Sequence, residues 1–323
     1  MFTRQLGKTG YKISEIGFGA WGIGGEMWQG SNDKDALAAL NKAVDLGVSF
    51  IDTALAYGDG HSEQLVGKLL RSRNERIYVA TKIPPKNRRW PARAGVPFHE
   101  TFPHNYIVEC TERSLKNLKV DCLDLQQFHV WSDEWVGASE IWNAVEKLKR
   151  EGKVAHFGIS INDHQPASAL KAAATGMIDS FQVIYNIFDQ SPEDELFPYC
   201  QKHNIGVIVR VPFDEGGLTG RVTPETKFPD KDWRNNYFTG DRKQQVAERV
   251  EKLKPLLGAE AKTLPELALR FCLSHPAVST IIPGMRTEAH AETNAAVSDG
   301  EKLSQQTLAE LHKHRWVRNF YPD

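Results

Sequence analysis

Short apolar segments alternate with amphipathic segments along almost the whole chain. The apolar segments are rich in Val, Ile and Phe, which is typical of strands buried on both faces of a parallel sheet. The segments between them repeat apolar residues at helical spacing; in 33–46, for example, Ala36, Leu40 and Ala43 share one face. The predicted strands are 16–19, 50–52, 77–82, 123–129, 154–160, 180–184, 206–211 and 278–282. The predicted helices that follow them are 33–46, 62–70, 106–118, 138–150, 166–175, 192–203, 264–274 and 288–297.

This order of elements predicts an α/β fold, a (β/α)₈ TIM barrel. Parallel strands joined by helices require right-handed crossovers, and eight such units close naturally into a barrel. Before the first unit, segments 3–6 and 12–14, joined by a turn at 7–10, predict an N-terminal β-hairpin that plugs the barrel floor. An extra C-terminal helix, 304–316, follows the last unit. Because no linker or low-complexity stretch interrupts the pattern, we expect residues 1–323 to form a single domain.

Two helix starts and two long loops stand out. The segments Ser191-Pro192-Glu193-Asp194 and Thr263-Leu264-Pro265-Glu266 combine a capping side chain, an early proline and early acidic residues. The long loops, 86–103 and 212–240, both follow predicted strands. In a barrel such loops lie at the carboxyl-terminal rim, where active sites are built. We therefore expect both loops to border the functional site.

The overall composition is that of an ordinary globular protein. Of 323 residues, 41% are hydrophobic and 25% are charged. The formal net charge of −1 indicates neither a nucleic-acid partner nor an acidic membrane surface. We attribute the densest basic cluster, Arg88-Arg89, to the usual charge of an exposed loop. With no apolar leader and no membrane-length segment, the expected location is cytoplasmic.

The four cysteines, Cys110, Cys122, Cys200 and Cys272, show neither a CxxC motif nor the spacing of metal ligands. The chain is long enough for a large core and lacks a secretory signal, so buried reduced thiols are expected rather than disulfides. We expect chemistry without a metal.

The candidate chemistry lies at the ends of the predicted strands. Asp52, Tyr57, Lys82 and His129 each end or follow an apolar segment, so a barrel would bring them to one rim. Taken singly, they have ordinary interpretations as a helix cap, a packing residue, a solvated lysine and an isolated histidine. Together they suit one reaction, in which a phenol beside an ammonium protonates a carbonyl oxygen while hydride reaches the carbon. The chain is therefore a candidate reductase.

A glycine-rich segment offers an alternative that we disfavour. Residues 17–22, GFGAWG, match the dinucleotide fingerprint G-x-G-x-x-G, with Asp52 as the ribose-binding acid. That motif works because a helix begins inside it and presents its N-terminus to the pyrophosphate. Here the next helical pattern begins near Asp33, well beyond Gly22. We therefore interpret the glycines as residues that let a rim loop lie close to a ligand.

These motifs occur in an order that identifies a family. The segments are GFGAW (17–21), FIDTALAYG (50–58), ATK (80–82), QQFH (126–129), GIS (158–160), FQVIYN (181–186), LTGR (218–221) and IIPG (281–284). With them the whole chain resembles the aldo-keto reductases. The VPFDEGGLTG loop and the IPG ending look more like the bacterial and potassium-channel β-subunit branch. The resemblance implies a barrel that uses a nicotinamide cofactor to convert an aldehyde or ketone to an alcohol.

The resemblance assigns the family's catalytic tetrad to Asp52, Tyr57, Lys82 and His129. Tyr57 would be the general acid. Free tyrosine has a pKa near ~10, and a Lys82 ammonium beside it is expected to lower that pKa by stabilising the phenolate. Asp52 would hold Lys82 charged and aimed, and His129 would orient the carbonyl.

The resemblance also implies a cofactor site at the rim, with NADP(H) favoured over NAD(H). Arg286 is placed to grip a 2′-phosphate. The implied cofactor-binding residues are Gly19, Ala20, Trp21, Asp52, Ser160, Asn162, Gln182, Arg210, Pro212, Phe213, Leu218, Gly220, Arg221, Gly284, Arg286, His290 and Asn294.

Three positions depart from the family pattern at this cofactor site. Ile161 follows Ser160 where the family has Asn, and Asn162 either replaces that residue or only caps the following helix. Arg210 stands where the family often stacks an aromatic ring on the nicotinamide, and a guanidinium plane can stack as well. Thr293 replaces a Glu of the pattern.

An aromatic pocket is expected around the reacting carbonyl. Its predicted substrate-facing residues are Trp21, Tyr57, Trp90, His129 and Trp131, although Trp131 could equally be a scaffold residue. The predicted lid consists of Phe213, Trp233, Tyr237 and Phe238. The predicted function is NADPH-dependent reduction of a small-molecule aldehyde or ketone. The alternatives are a dehydrogenase that oxidises an alcohol, polyol or sugar, and a non-catalytic subunit that senses the cofactor; the oligomeric state is open.

Overall fold

The computed structural model describes residues 1–25, 30 and 32–316. The main sheet has eight parallel strands, each hydrogen-bonded to the next along the chain. A separate two-stranded sheet precedes it. The strands are β1 (Thr3–Gln5), β2 (Lys12–Ser14), β3 (Phe18–Gly19), β4 (Phe50–Asp52), β5 (Tyr78–Ile83), β6 (Leu123–Phe128), β7 (Val154–Ser160), β8 (Ser180–Ile184), β9 (Gly206–Arg210) and β10 (Thr280–Ile281).

Hydrogen bonds between its first and last strands close the sheet into a barrel. The Gly17 amide donates to the Ile281 carbonyl at 2.7 Å, and the Gly19 amide donates to the Pro283 carbonyl at 3.0 Å. A Cβ atom on Gly19 would lie 2.5 Å from the carbonyl oxygen of Ile282. Gly19 is therefore required by the closure of the barrel, whereas the sequence had indicated close approach to a ligand. The predicted (β/α)₈ architecture is confirmed.

The antiparallel hairpin β1–β2 plugs the floor of the barrel, as predicted. Leu6 and Ile13 are fully buried and pack against Phe50, Leu125 and Ile208 from three barrel strands. These five residues are called the floor below. They are all apolar, so burial removes hydrocarbon from water without leaving a polar group unpaired.

The helices surround the barrel at the predicted positions. They are α1 (Asp33–Asp45), α2 (His61–Ser72), α3 (Phe98–Thr101), α4 (His104–Leu118), α5 (Ser139–Arg150), α6 (Leu170–Ala174), α7 (Leu196–His203), α8 (Arg234–Tyr237), α9 (Arg242–Leu253), α10 (Leu264–Ser274), α11 (Glu288–Ala295) and α12 (Gln305–His312). The Thr263 hydroxyl caps α10 by accepting from the Glu266 amide. The predicted start at Ser191 is instead a 3₁₀ turn, Ser191–Glu193, and α7 begins at Leu196. The extra C-terminal helix, α12, is shorter than predicted.

Helix α9 was missed by the sequence analysis. Its buried apolar residues, Val246, Val250 and Leu253, are spaced four and then three residues apart, which is the helical signal. Together with the short α8, it forms an insertion between β9 and α10 that packs beside the segment Asp214–Thr219. The insertion is therefore partly helical, in contrast to the long loop predicted from the sequence.

Two further expectations concern the cysteines and membrane segments. All four cysteines are free thiols, and three are buried, whereas Cys122 is exposed. Within the described ranges, the structure contains no helix with the length and apolar character needed to cross a membrane.

Candidate active site

The four candidate catalytic residues meet at the carboxyl-terminal rim of the barrel. Asp52 ends β4, Lys82 lies near the end of β5, His129 follows β6, and Tyr57 lies in the loop after β4. The Lys82 ammonium donates to Asp52 Oδ2 at 2.6 Å, to the Thr53 carbonyl at 2.8 Å and to the Tyr57 hydroxyl at 3.2 Å. The ring centroids of Tyr57 and His129 are 5.8 Å apart. The structure therefore brings together all four residues that the sequence singled out.

Lys82 and Asp52 form a buried ion pair. Lys82 is fully buried and Asp52 is 2% exposed, so each charge depends on its partners inside the protein. Asp52 Oδ1 accepts hydrogen bonds from the side-chain nitrogen of Gln182 at 2.7 Å and from the side-chain nitrogen of Gln127 at 3.4 Å. Burial disfavours the Lys82 ammonium, but Asp52 and Tyr57 favour it more strongly, so the pKa of Lys82 is raised. Lys82 is therefore charged at neutral pH.

The pKa of Tyr57 is shifted in the direction opposite to the one expected from the sequence. Burial raises the pKa of the Tyr57 phenol, and the opposing effect of Lys82 offsets only part of that rise. Tyr57 therefore keeps its proton at neutral pH. Burial, followed by the charges of Lys82 and Arg210, holds the pKa of His129 well below 6.5. The neutral imidazole has one donor and one acceptor nitrogen, and its Nδ1 has no hydrogen-bond partner among the described residues.

Two adjacent residues at the start of α2 hold the strand ends that carry this site. The Ser62 hydroxyl donates to the Ala20 carbonyl at 3.0 Å and accepts from the Thr53 hydroxyl at 2.8 Å. The Glu63 carboxyl is fully buried and accepts from the Thr81 hydroxyl at 2.6 Å, with a second hydrogen bond from α4. Burial raises the pKa of Glu63. The ends of β3, β4 and β5 are thus tied to one helix through polar contacts that the sequence analysis did not identify.

Aromatic side chains border the rim on two sides. The Trp21 ring lies 6.1 Å from the Tyr57 ring and 6.2 Å from the Trp233 ring, measured between centroids. On the other side, Trp90 meets His129 edge to face at 5.8 Å. Trp90 is 42% exposed. Trp21 and Trp90 thus lie on either side of Tyr57 and His129, and their role as pocket walls stays a prediction.

Trp131 does not line the pocket. Its side chain is fully buried and packs against Phe128 and Trp135, at centroid distances of 5.5 and 5.8 Å. Its indole nitrogen donates to Asp133 at 3.0 Å. The prediction of Trp131 as a pocket wall is wrong, and the alternative, a scaffold residue, is correct.

Only part of the predicted lid is exposed, so only part of it is free to cover a ligand. Tyr237 and Phe238 are buried. The Tyr237 hydroxyl donates to the Asp214 carboxylate, and the Arg242 guanidinium lies 3.8 Å from the centre of the Tyr237 ring. These contacts anchor the insertion in the scaffold. The partly exposed members of the predicted lid are Phe213 and Trp233.

Ser160 and Gln182 lie side by side at the ends of β7 and β8, where they pair in register. Both are almost fully buried at the rim, and Gln182 donates to Asp52, which places it against the tetrad. These positions suit hydrogen bonding to the amide group of a nicotinamide.

Asn162 has a different partner from both of those considered in the sequence analysis. Its side-chain oxygen accepts from the Ala92 amide at 3.2 Å, and its side-chain nitrogen donates to the Ala92 carbonyl at 3.2 Å. The same nitrogen donates to the Trp131 carbonyl at 2.9 Å. Asn162 therefore fastens the third loop, residues 84–97, to the barrel, and both ends of its amide are engaged in doing so.

Arg210 lies beside the site but is already engaged. Its guanidinium pairs with Asp163 and donates to the Ile161 carbonyl at 2.8 Å. Nearby, burial and the charges of Asp163 and Asp214 raise the pKa of Glu215 to about 8. Glu215 is therefore mostly protonated at neutral pH, and this titratable group at the edge of the predicted cofactor site was not identified from the sequence.

A basic cluster lies where the segment after β10 meets the loop after β3. The Arg286 side chain packs over Gly22, where a Cβ atom would lie 2.8 Å from Arg286 Cγ. Burial, followed by the charges of Arg286 and Arg221, lowers the pKa of His290. The three side chains therefore share a region of positive potential, which is suited to phosphate groups.

The remaining predicted cofactor residues differ in exposure. The buried ones are Ala20, Pro212, Leu218 and Asn294, and the exposed ones are Gly220 and Gly284. Leu218 is fully buried in the hydrophobic core, so it presents no exposed surface to a ligand. Gly19 and Gly284 meet as a parallel bridge at the barrel seam.

A closed barrel with a Tyr, Lys, Asp and His cluster at its rim defines a class of oxidoreductases. The chain belongs to the aldo/keto reductase family, whose model matches residues 15–315. The aldo-keto reductase YhdN of Bacillus subtilis is 31% identical over 304 residues, which cover 91% of this chain and 88% of that protein. The chain is an NAD(P)H-dependent oxidoreductase that acts on carbonyl groups.

Two other similar proteins are named for different activities. The NADH-specific methylglyoxal reductase of Escherichia coli is 28% identical over 327 residues, 94% of this chain and 97% of that one. The structure of a glycerol dehydrogenase from Gluconobacter oxydans superposes with a TM-score of 0.81 at 26% identity, covering 97% of this chain and 94% of that one. One is named a reductase and the other a dehydrogenase.

Proposed function

We propose that this chain reduces an aldehyde or ketone to an alcohol with NADPH, with Tyr57 as the proton donor. The observation that carries the proposal is the 3.2 Å contact between the Tyr57 hydroxyl and the buried Lys82 ammonium. Membership of the family supports the reaction class.

The roles of the four residues follow from their protonation states. The bound cofactor supplies the hydride. Tyr57, protonated at neutral pH, donates its proton to the carbonyl oxygen of the substrate. The phenolate that forms in the transition state is stabilised by the Lys82 ammonium, which Asp52 keeps charged. Neutral His129 orients the same oxygen by donating from one ring nitrogen.

The choice of NADPH over NADH rests on the basic cluster. Arg286 and Arg221 both lie near His290, and a guanidinium binds phosphate oxygens in a bidentate fashion. The fit supports a ligand with a 2′-phosphate. The NADH-specific relative makes NADH the alternative.

A second candidate is the oxidative direction, with an alcohol or polyol as the substrate. It is favoured by the similarity to a glycerol dehydrogenase. The same four residues serve both directions, because a Tyr57 phenolate beside Lys82 accepts the proton that it donates in reduction. Assays with NADPH and an aldehyde, and with NADP⁺ and glycerol, separate the two.

The central test is the Tyr57→Phe variant assayed with NADPH and 4-nitrobenzaldehyde. We expect kcat to fall by at least about a hundredfold, as for the loss of a general acid. NADPH affinity, followed by fluorescence titration, should stay nearly unchanged because the ring remains. An unchanged rate in the variant would remove Tyr57 from the reaction. A wild-type chain that binds NADPH but reduces no carbonyl would favour the cofactor-sensing alternative.

A further inference from the structure

The third loop carries positive charge without any compensating acid. Residues 84–97 contain Lys86, Arg88, Arg89 and Arg93 and no Asp or Glu. All four cations are exposed. The three arginine side chains form no hydrogen bond or ion pair with the residues that the structure describes. Elsewhere in the described chain nine arginines face a carboxylate.

The same loop is firmly anchored on both sides of its basic segment. Before the segment, the Lys86 amide donates to the Thr101 carbonyl at 2.9 Å. After it, both backbone groups of Ala92 bond to the side chain of Asn162. The Gly95 amide then donates to a carboxylate oxygen of Glu134 at 2.7 Å. Residues 88–91, called the loop tip below, are therefore held in place.

The loop tip lies directly at the proposed active site. Trp90 meets His129 edge to face at 5.8 Å, and 42% of its surface is exposed. Arg88 and Arg89 immediately precede it. Trp90 thus presents an aromatic face beside the reacting groups. The two guanidinium groups that precede it in the chain have no hydrogen-bond or ion-pair partner among the described residues, so the loop tip is complementary to an organic body with an anion at its far end.

We propose that the loop tip selects carbonyl substrates that carry an anionic group, a carboxylate or a phosphate, on an aromatic or extended apolar body. The inference rests on the proposed function, since it names the substrate class of the same site. Trp90 packs against the body of the substrate, and Arg88 and Arg89 bind the anion. Arginine suits both anions because its planar fork pairs with two oxygens at once.

The test compares each anionic aldehyde with a neutral aldehyde of similar carbonyl reactivity. Wild-type kcat/KM is measured with 4-carboxybenzaldehyde against methyl 4-formylbenzoate, and with 4-formylphenyl phosphate against 4-methoxybenzaldehyde. We expect at least one of the two anions to be preferred over its neutral counterpart, and the preference to shrink at high salt. The preferred pair distinguishes carboxylate from phosphate. Equal kcat/KM values within both pairs would overturn the proposal while leaving the reductase assignment intact.

The Arg88→Ala/Arg89→Ala variant identifies the residues responsible. We expect kcat/KM for the preferred anion to fall about tenfold, mainly through KM, because charge-assisted pairs are lost. The value for 4-nitrobenzaldehyde should change much less. The matched control is Arg71→Ala/Arg150→Ala, two exposed arginines at the ends of α2 and α5 that face the opposite end of the barrel. An equal loss for neutral and anionic aldehydes would contradict the assignment.

A binding measurement keeps this test independent of turnover. Titration with 4-(hydroxymethyl)benzoate, the product of 4-carboxybenzaldehyde reduction, and with 4-(hydroxymethyl)phenyl phosphate is followed by tryptophan fluorescence. We expect saturable binding of at least one of them that the double variant weakens about tenfold. If the wild type reduces no aldehyde but the double variant still binds these alcohols more weakly, the anion site is supported and the proposed reaction is not. Binding that is the same in wild type and variant would overturn the anion site.

Discussion

The two ends of the barrel are built from opposite kinds of side chain. At the floor, the side chains of Leu6 and Ile13 close the barrel through apolar contacts. At the rim, Asp52 and Lys82 are just as deeply buried but are charged. The floor therefore contributes stability by removing hydrocarbon from water, at about 25 cal/mol per Å². The rim holds charges that are costly to bury, in an arrangement that suits chemistry.

The difference places apolar packing and buried charge at opposite ends of one fold. A buried ion pair can often be replaced by apolar residues with no loss of stability. We attribute its presence at the rim to the proposed role of the ammonium beside Tyr57, whereas the floor serves packing.

The largest effect is expected at the rim, from Lys82→Met. Removing the ammonium leaves the Asp52 charge without its main partner, so we expect a loss of about 3–5 kcal/mol in the free energy of unfolding. Aldehyde reduction should fall by at least about a hundredfold. Denaturant unfolding and NADPH turnover measure the two effects.

The double variant Asp52→Asn/Lys82→Met is the control for this prediction. It removes both charges, so we expect much of the stability to return while activity stays absent. Recovered activity would show that the ammonium is not needed for the reaction, and would undo the contrast between the two ends.

A substitution at the floor, Leu6→Ala, should have the reverse profile. It opens a cavity among packed apolar side chains, and we expect the free energy of unfolding to fall by about 2–5 kcal/mol. The kcat at a temperature where the variant is folded should be close to that of the wild type. Leu46→Ala is the matched control, because Leu46 is 36% exposed and its loss should change stability by less than about 0.5 kcal/mol. A large fall in kcat for Leu6→Ala would show that the floor and the rim are coupled.

The smallest effect is expected from Arg286→Ala, at the edge of the rim. We expect NADPH affinity to fall about tenfold, because one charge-assisted contact is lost, and NADH affinity to change much less. Fluorescence titration with both cofactors measures this, and unfolding should be almost unaffected since Arg286 is partly exposed. Equal losses for the two cofactors would defeat the 2′-phosphate assignment.

Local patterns were sufficient to predict most of the fold. The eight strand and helix units, the hairpin that plugs the floor, and the Thr263 cap all depend on periodicity or on neighbouring residues, which a sequence displays directly. Helix α9 carried the same signal in Val246, Val250 and Leu253. It was missed because the long insertion was interpreted as a loop throughout.

By itself, the sequence determined the barrel and named the four residues that meet at its rim, because strand order in a parallel barrel brings strand ends together. Only the tertiary structure decided what surrounds them. In the structure Trp131 is buried in the scaffold, the side chain of Asn162 is hydrogen-bonded to the third loop, and the pKa of Tyr57 is raised. Each of these outcomes depends on burial or on contacts between residues far apart in the chain, and neither quantity can be read from a local pattern.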